Sequence, residues 1–357
     1  MMRYLRLFLR ASLCAAFVLC LAWLITSTAA PPAAADHLQS ALSQEQFDQH
    51  SANDLSAQMQ SGAGEFISVL PDSRREFNDP QRTHWDFWPS RYPGARIDQI
   101  TADQAALADR LLRLGLSAQG YEKVKLIQTL EPDNPWSSPY YSVTVFGNPA
   151  SGRPWGWRFQ GHHLSFNFTL SGGAISTTPM FLGTQPLSKS NVAGGKAPLG
   201  NEEHLARKLY TSLDAAQRRA ADIQRPPHTY LPERTPAAQR PRPTGVLAKA
   251  LSAGQQATLR KLIDAYVRNA APAIAEARRR ELNQGDFDSV GFAWAGPAEP
   301  HRDHYYRVQG REFLIEYDSR DGGSHIHSVW RSFDGDFGED LLRKHLETAH
   351  LARPLQD

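Results

Sequence analysis

The sequence predicts an α+β protein built from two related units that share one globular body. Residues 157–168, WRFQGHHLSFNF, align without a gap with residues 306–317, YRVQGREFLIEY. At a nearly equal distance along the chain, residues 101–106, TADQAA, match residues 252–257, SAGQQA. From these two matches we predict an internal duplication, in which each unit contains antiparallel β-hairpins with flanking helices.

The helices of each unit are predicted from capping residues and apolar spacing. Thr101 and Ser252 are N-cap candidates, and each precedes leucines or isoleucines at helical spacing. Towards the end of each unit, Gly200 and Gly338 introduce a second helical segment. Each unit is therefore predicted to run helix, strand, hairpin, strand, helix.

The hairpin of each unit is predicted from the parity of its apolar residues. These residues occupy odd positions before Gly161 and even positions after it, and the same switch occurs near Gly310. Because side chains of a strand alternate with period two, the chain must turn or bulge at each glycine. After the turn, the polar face carries His163 in the first unit, and Glu316 and Asp318 in the second.

The first residues have the pattern of an export signal. Three arginines precede an apolar run from Leu13 to Ile25, and the small residues 33–35 follow as a cleavage signal. We predict a signal peptide over residues 1–35 and a periplasmic or secreted protein, with an uncleaved anchor as the alternative. The apolar run is short for a transmembrane helix of ~20 residues, and no membrane span is expected after cleavage.

Cysteine content and charge exclude several classes of function. Cys14 and Cys20 both lie in the leader, so the mature chain has no disulfide and no thiolate for metal binding or catalysis. Without the three leader arginines, 36 basic residues face 37 acidic ones, a formal net charge of −1. This balance excludes a phosphate-backbone partner, so we expect no nucleic acid and a small-molecule or unknown substrate. The sequence leaves the oligomeric state open.

The mature chain is divided by composition. We predict a polar N-terminal arm or helix, a main domain, two pseudo-repeats within that domain and a Pro-rich linker between the repeats. Their ranges are 36–65 for the arm, 66–350 for the domain, about 100–210 and 251–348 for the pseudo-repeats, and 225–245 for the linker.

Histidines form the strongest candidate site. His325 and His327 alternate with apolar residues on a predicted strand and therefore share one face. Paired imidazoles suit a divalent transition metal such as zinc, copper or iron. With His162 and His163 from the first unit and Glu316 from the neighbouring strand, they predict a metal site between the two units. The alternative is that these histidines only pack and form hydrogen bonds within the hairpins.

Three further residues are candidates for catalysis. Glu316 and Asp318 are alternative general bases for a metal-activated water, which predicts a hydrolase. Arg331 shares the strand face of His327 and is a candidate to hold a carboxylate or phosphate. Redox chemistry at copper or iron stays open. The alternative from another class is a non-catalytic periplasmic ligand-binding or scaffolding protein with structural histidines. In that protein an aromatic cluster would line a ligand groove or only the core, and its members are Trp85, Trp88, Trp155 and Trp157.

Six segments of the chain form a recognisable set: WGWRFQGHHLSFNF (155–168), TPMFLG (178–183), HYYRVQG (304–310), IEYD (315–318), HIHSVWR (325–331) and DFGED (336–340). Together they resemble one known family, the domain of unknown function 3500. The resemblance covers nearly all of the mature chain, roughly residues 66 to 345. It implies one domain and fits an extracytoplasmic setting, and it implies no reaction.

Overall fold

The computed structural model describes residues 52–130, 141–185, 187, 197–224, 238, 240 and 242–347. These residues belong to one compact unit, His50–Asp357. The predicted signal peptide lies outside the described residues, as does most of the predicted linker. Within the described ranges, no helix combines the length and apolar character that crossing a membrane requires.

Twelve strands of the described chain form one mixed sheet. The hydrogen-bonded order is β1-β3-β4-β5-β7-β12-β11-β10-β9-β8, with β2 on β3 and β6 on β5; the β1–β3 pair is parallel and the others are antiparallel. The strands are β1 Arg74–Arg75, β2 Ala95–Arg96, β3 Ser142–Phe146, β4 Trp155–Gly161, β5 Leu164–Ser171, β6 Ala174–Ser176, β7 Met180–Thr184, β8 Val246–Leu247, β9 Gly291–Ala295, β10 His304–Gln309, β11 Phe313–Arg320 and β12 His325–Ser332.

Eight α-helices accompany the sheet in the described chain, which confirms the predicted α+β class. Thr101 and Ser252 cap the second and sixth of them through capping boxes with Gln104 and Gln255, as their sequence positions predict. The helices are α1 Ala52–Val69, α2 Ala102–Gly115, α3 Ala118–Leu130, α4 Gly200–Thr211, α5 Ala215–Ala221, α6 Ala253–Val267, α7 Pro272–Gln284 and α8 Glu339–Leu346.

Helix α1 spans residue 65, where the sequence predicts the end of a polar arm. Its apolar residues at helical spacing, among them Met59 and Phe66, are fully buried in the main core. The helix therefore packs as part of the domain.

The same order of elements occurs twice along the chain. The first half runs α2-α3-β3-β4-β5-β7-α4, apart from the short strand β6, and the second half runs α6-α7-β9-β10-β11-β12-α8. Antiparallel pairing of β7 with β12 joins the two meanders at the centre of the sheet. That the two halves arose by duplication of one unit stays a prediction.

The predicted hairpin turns are present in both halves. Gly161 pairs with Leu164 across a two-residue turn, and the Gly310 N–H donates to the carbonyl oxygen of Phe313 at 3.0 Å. The change of parity at each glycine keeps the apolar side chains of both strands on one face. That face packs against the helices in a single core cluster, to which Phe159, Phe166 and Ile315 belong.

The opposite face of the sheet carries buried polar pairs at equivalent positions. Arg158 lies across from Asn167 in the first half and donates from Nε at 2.6 Å, and Arg307 lies across from Glu316 in the second with an ion pair of 2.9 Å. Arg158 also donates to the backbone carbonyls of residues 81, 82 and 84, which holds that segment over this face. Burial lowers the pKa of Arg158 to about 9.

Candidate metal centre

Three histidines meet at the centre of the sheet, where the turn between β4 and β5 approaches the start of β12. The turn carries His163, and β12 begins with His325 and His327. The backbone N–H of His163 donates to the carbonyl oxygen of Phe87 at 3.0 Å. The carbonyl oxygen of His163 in turn accepts from the N–H of Gly183 on β7 at 2.7 Å. Because Gly183 is also paired with His327, the turn is fixed against the strand that carries the other two histidines.

The three imidazoles point the same nitrogen at one another. Nε2 of His325 lies 3.3 Å from Nε2 of His163 and 2.9 Å from Nε2 of His327. One ligand atom from each of the three residues lies within 4.8 Å of the others. For metal–nitrogen bonds of ~2.0–2.1 Å, the two short separations correspond to angles of roughly 90–110° at a metal ion. These three residues could therefore hold one metal ion.

The left-handed backbone of His163 and the absence of a side chain at Gly183 allow the imidazoles to come this close. His163 adopts φ 61°, a left-handed conformation uncommon for a residue other than glycine. A Cβ on Gly183 would lie 2.8 Å from Cδ2 of His163 and 3.1 Å from Cδ2 of His327. The two rings thus occupy space that any other residue at position 183 would fill.

The surroundings favour neutral imidazoles. Burial lowers the pKa of His327 well below its usual value, and the neighbouring His163 and His325 lower it further. Burial also lowers the pKa of His325, although Asp321 opposes that change. Because the neutral imidazole is the form that binds metal, these shifts keep the site ready for a cation near neutral pH.

A carboxylate orients one of the imidazoles. Oδ2 of Asp321 lies 3.3 Å from Nδ1 of His325, so an Nδ1–H that donates to it leaves the Nε2 lone pair for a metal. Sequence reasoning missed Asp321 and Gly183. For Asp321 the available signal is its place in the β11–β12 turn four residues before His325, where it adopts φ 54°.

An aromatic wall borders the histidines on one side. The ring of Phe87 contacts His327 edge-on at 4.9 Å between centroids, and it stacks on Phe181 at 4.2 Å. Trp88 stacks on the outer side of Phe87 and is 55% exposed. The predicted ligand His162 stacks on His163 at 3.8 Å and is not one of the three converging residues.

The predicted carboxylates Glu316 and Asp318 lie outside the three-histidine group among the described residues. Oε1 of Glu316 accepts hydrogen bonds from Arg307 and Tyr305, and burial raises the pKa of this carboxyl. Asp318 lies directly across from His327, but its carboxylate binds Arg320. The structure therefore places both carboxylates on the polar face beside the histidines and pairs each of them with arginine.

Arg331 is the third predicted catalytic residue. It is fully buried, and its Nε donates to the carboxylate of Asp336 at 2.5 Å. Its guanidinium also lies over the ring of Trp85 at 5.5 Å. The carboxylate that Arg331 binds in this structure is therefore the side chain of Asp336, not a group of a bound ligand.

Comparison with known proteins assigns a family. The model of the family described as protein of unknown function (DUF3500) matches residues 52–339. The chain belongs to this family. The match begins at the first residue of α1 and contains all three histidines, Asp321 and Gly183. No curated protein and no solved structure matches the chain.

Proposed function

We propose that this DUF3500 protein is an exported, metal-dependent hydrolase. His163, His325 and His327 bind a divalent transition metal ion, zinc in the first place, between the two halves of the sheet. The observation that carries the proposal is the convergence of the Nε2 atoms within 3.3 Å and 2.9 Å along this triad. Export rests on the sequence pattern of residues 1–35.

The donor set supports zinc, copper or iron rather than magnesium or calcium. Imidazole nitrogen suits the first group, whereas carboxylate and carbonyl oxygen suit the second. Three protein ligands leave a fourth position for water, which is the pattern of catalytic zinc sites. The side chain of His325 is 22% exposed, so solvent has access to this corner of the triad.

The proposed chemistry follows from three neutral ligands around a dication. An ion held by His163, His325 and His327 would lower the pKa of water to ~7 and so supply hydroxide near neutral pH. Attack on an electrophilic carbon or phosphorus would then break the bond to the leaving group, which would take a proton from solvent. Arg320 lies directly across from His325 in the β11–β12 pair, and we assign it, together with its partner Asp318, to the stabilisation of a developing oxyanion.

Metal analysis tests the proposal. Protein purified without a His-tag should contain close to one equivalent of metal by elemental analysis. His163→Ala, His325→Ala and His327→Ala should each lose it, whereas His204→Ala, at an exposed position on α4, should retain it. Substoichiometric metal that the three variants leave unchanged would refute the metal centre and favour a non-catalytic binding or scaffolding protein.

A second experiment tests the reaction class. Chelator-treated protein, with zinc, copper or iron restored in turn, is assayed on chromogenic carboxylate and phosphate esters. Zinc-dependent turnover that His327→Ala abolishes supports hydrolysis. A bound copper ion with a Cu(II) spin-resonance signal and no ester turnover would replace hydrolysis with redox chemistry at the same residues.

A further inference from the structure

A second site is indicated on the other face of the sheet. Side chains of β12 alternate, so His327 and Val329 share the face of the metal centre and Trp330 lies on the opposite one. There, a cavity of about 430 Å³ opens between α6, α7 and the β10–β11 turn. Its volume is within the ~300–1,000 Å³ typical of small-molecule sites. Ile263, Leu282 and Trp330 contribute to its apolar lining.

One cation of this cavity lacks an acidic partner. Arg278 lies with its guanidinium carbon 4.9 Å above the Trp330 ring, and its Nη2 donates to Oγ1 of Thr177 at 2.8 Å. In the described part of the chain, no carboxylate forms an ion pair with Arg278. Burial lowers its pKa to about 10, although Glu281 and Asp336 oppose that change.

The other charged side chains that line the cavity are either paired or exposed; the exposed ones include Arg260, Asp286 and Asp340. Arg279 pairs with Asp264 at 2.8 Å, and Arg311 pairs with Glu312 at 3.1 Å. The nearest acid along α7, Glu281, is exposed, whereas Thr177 beside Arg278 is fully buried. An anion that enters the cavity would therefore meet the half-buried guanidinium of Arg278 above the ring of Trp330.

We propose that this cavity binds an amphipathic monocarboxylate, with its carboxylate on Arg278 and its apolar body against Ile263, Leu282 and Trp330. A guanidinium offers two parallel N–H donors to a carboxylate, and such charge-assisted bonds are the strong ones in a desolvated site. Burial of the hydrocarbon part supplies the remaining affinity. The proposal does not depend on the metal centre, which lies on the opposite face of the sheet.

Calorimetry with three probes of equal chain length tests the proposal on the full chain. Octanoate should bind at least about ten-fold more tightly than 1-octanol or octylamine, because hydrogen bonds to a charged partner carry that much affinity. Arg278→Met should remove this preference. Arg280→Met, the same change on the exposed side of α7 and outside the cavity lining, should keep it.

Three results would overturn the proposal. The first is octanoate that binds no more tightly than 1-octanol, and the second is octylamine that binds as tightly as octanoate through Glu281. The third is Arg278→Met with wild-type circular dichroism and unchanged octanoate affinity. If Arg278→Met does not fold, the comparison of the three probes on the wild-type chain decides the question. Metal content should be the same in Arg278→Met as in the wild type.

Discussion

Replacing Gly183 with alanine should disable the metal centre without removing any of its ligands. The added Cβ would lie 2.8 Å from Cδ2 of His163 and 3.1 Å from Cδ2 of His327, and 3.0 Å from the carbonyl oxygen of Ile326. Because carbon atoms in contact are ~3.5 Å apart or more, the His163 ring must retreat by about 0.7 Å and the His327 ring by about 0.4 Å.

Displacements of this size exceed the variation in metal–ligand distance that a metal site tolerates. Metal–ligand distances vary by ~0.2 Å around their usual values, so the two imidazoles of Gly183→Ala cannot both keep their bonds. We expect zinc to bind about 10–100-fold more weakly, the loss seen when residues that orient ligands are changed. The packing cost should be ~1–3 kcal/mol, which the folded protein can tolerate.

Competition titration of zinc against a chromogenic chelator measures the change, and circular dichroism checks the fold. Gly64→Ala is the matched control, because a Cβ at position 64 in α1 meets nothing within 4 Å. That variant should bind zinc as the wild type does. A folded Gly183→Ala protein with wild-type zinc affinity would refute the view that the rings need the space above this glycine.

Three further predictions concern residues around the centre. Asp321→Asn keeps the turn and removes the charge beside His325, so zinc should bind about ten-fold more weakly in the same titration; an unchanged affinity would deny Asp321 its orienting role. Glu316→Gln should leave the metal content at the wild-type level in elemental analysis, because Glu316 contacts Arg307 and Tyr305 instead of the histidines; loss of metal would make Glu316 a ligand. In metal-free protein, the lowered pKa of His327 means that the unfolded chain binds a proton below pH ~6.5 while the folded chain does not. Stability is therefore retained above that pH and lost as the pH falls towards the lowered pKa, by up to ~1.4 kcal/mol per pH unit. Urea titrations from pH 7 to pH 5 should show this slope, and His327→Gln should reduce it; equal slopes would contradict the assignment to His327.

The sequence alone was enough for the features that depend on local periodicity. The change of parity at Gly161 and Gly310 predicted both hairpins, because a strand has two faces and one of them must stay apolar. The same rule placed His325 and His327 together, and their Nε2 atoms lie 2.9 Å apart. The N-caps at Thr101 and Ser252 follow from local hydrogen bonding in the same way.

Features that depend on strand order and on neighbours in space were beyond the sequence. Glu316 does lie on the strand next to β12, but it pairs with Val329 instead of His327, and its carboxylate binds Arg307. Alternation of polar and apolar residues tells which face of a strand a side chain lies on, but it does not tell which residue of the neighbouring strand lies opposite. Nothing in the sequence indicated that Gly183 matters, because the rings that need its space, those of His163 and His327, come from two other segments of the chain.

The three histidines meet beside the hairpin turn of the first half, and the two halves differ at the residue that contacts this turn. In each half, the carbonyl of the second residue of the hairpin turn accepts a hydrogen bond from the end of the last strand: His163 from Gly183 at 2.7 Å, and Glu312 from Phe333 at 3.0 Å. The backbone contact is thus the same, but the residue that donates is a glycine in one half and a phenylalanine in the other. Gly183 leaves room for the imidazoles of His163 and His327. At the equivalent position of the second half, the side chain of Phe333 is buried in a cluster with Leu314 and Ala238. We infer that a histidine in the first turn depends on a glycine at position 183.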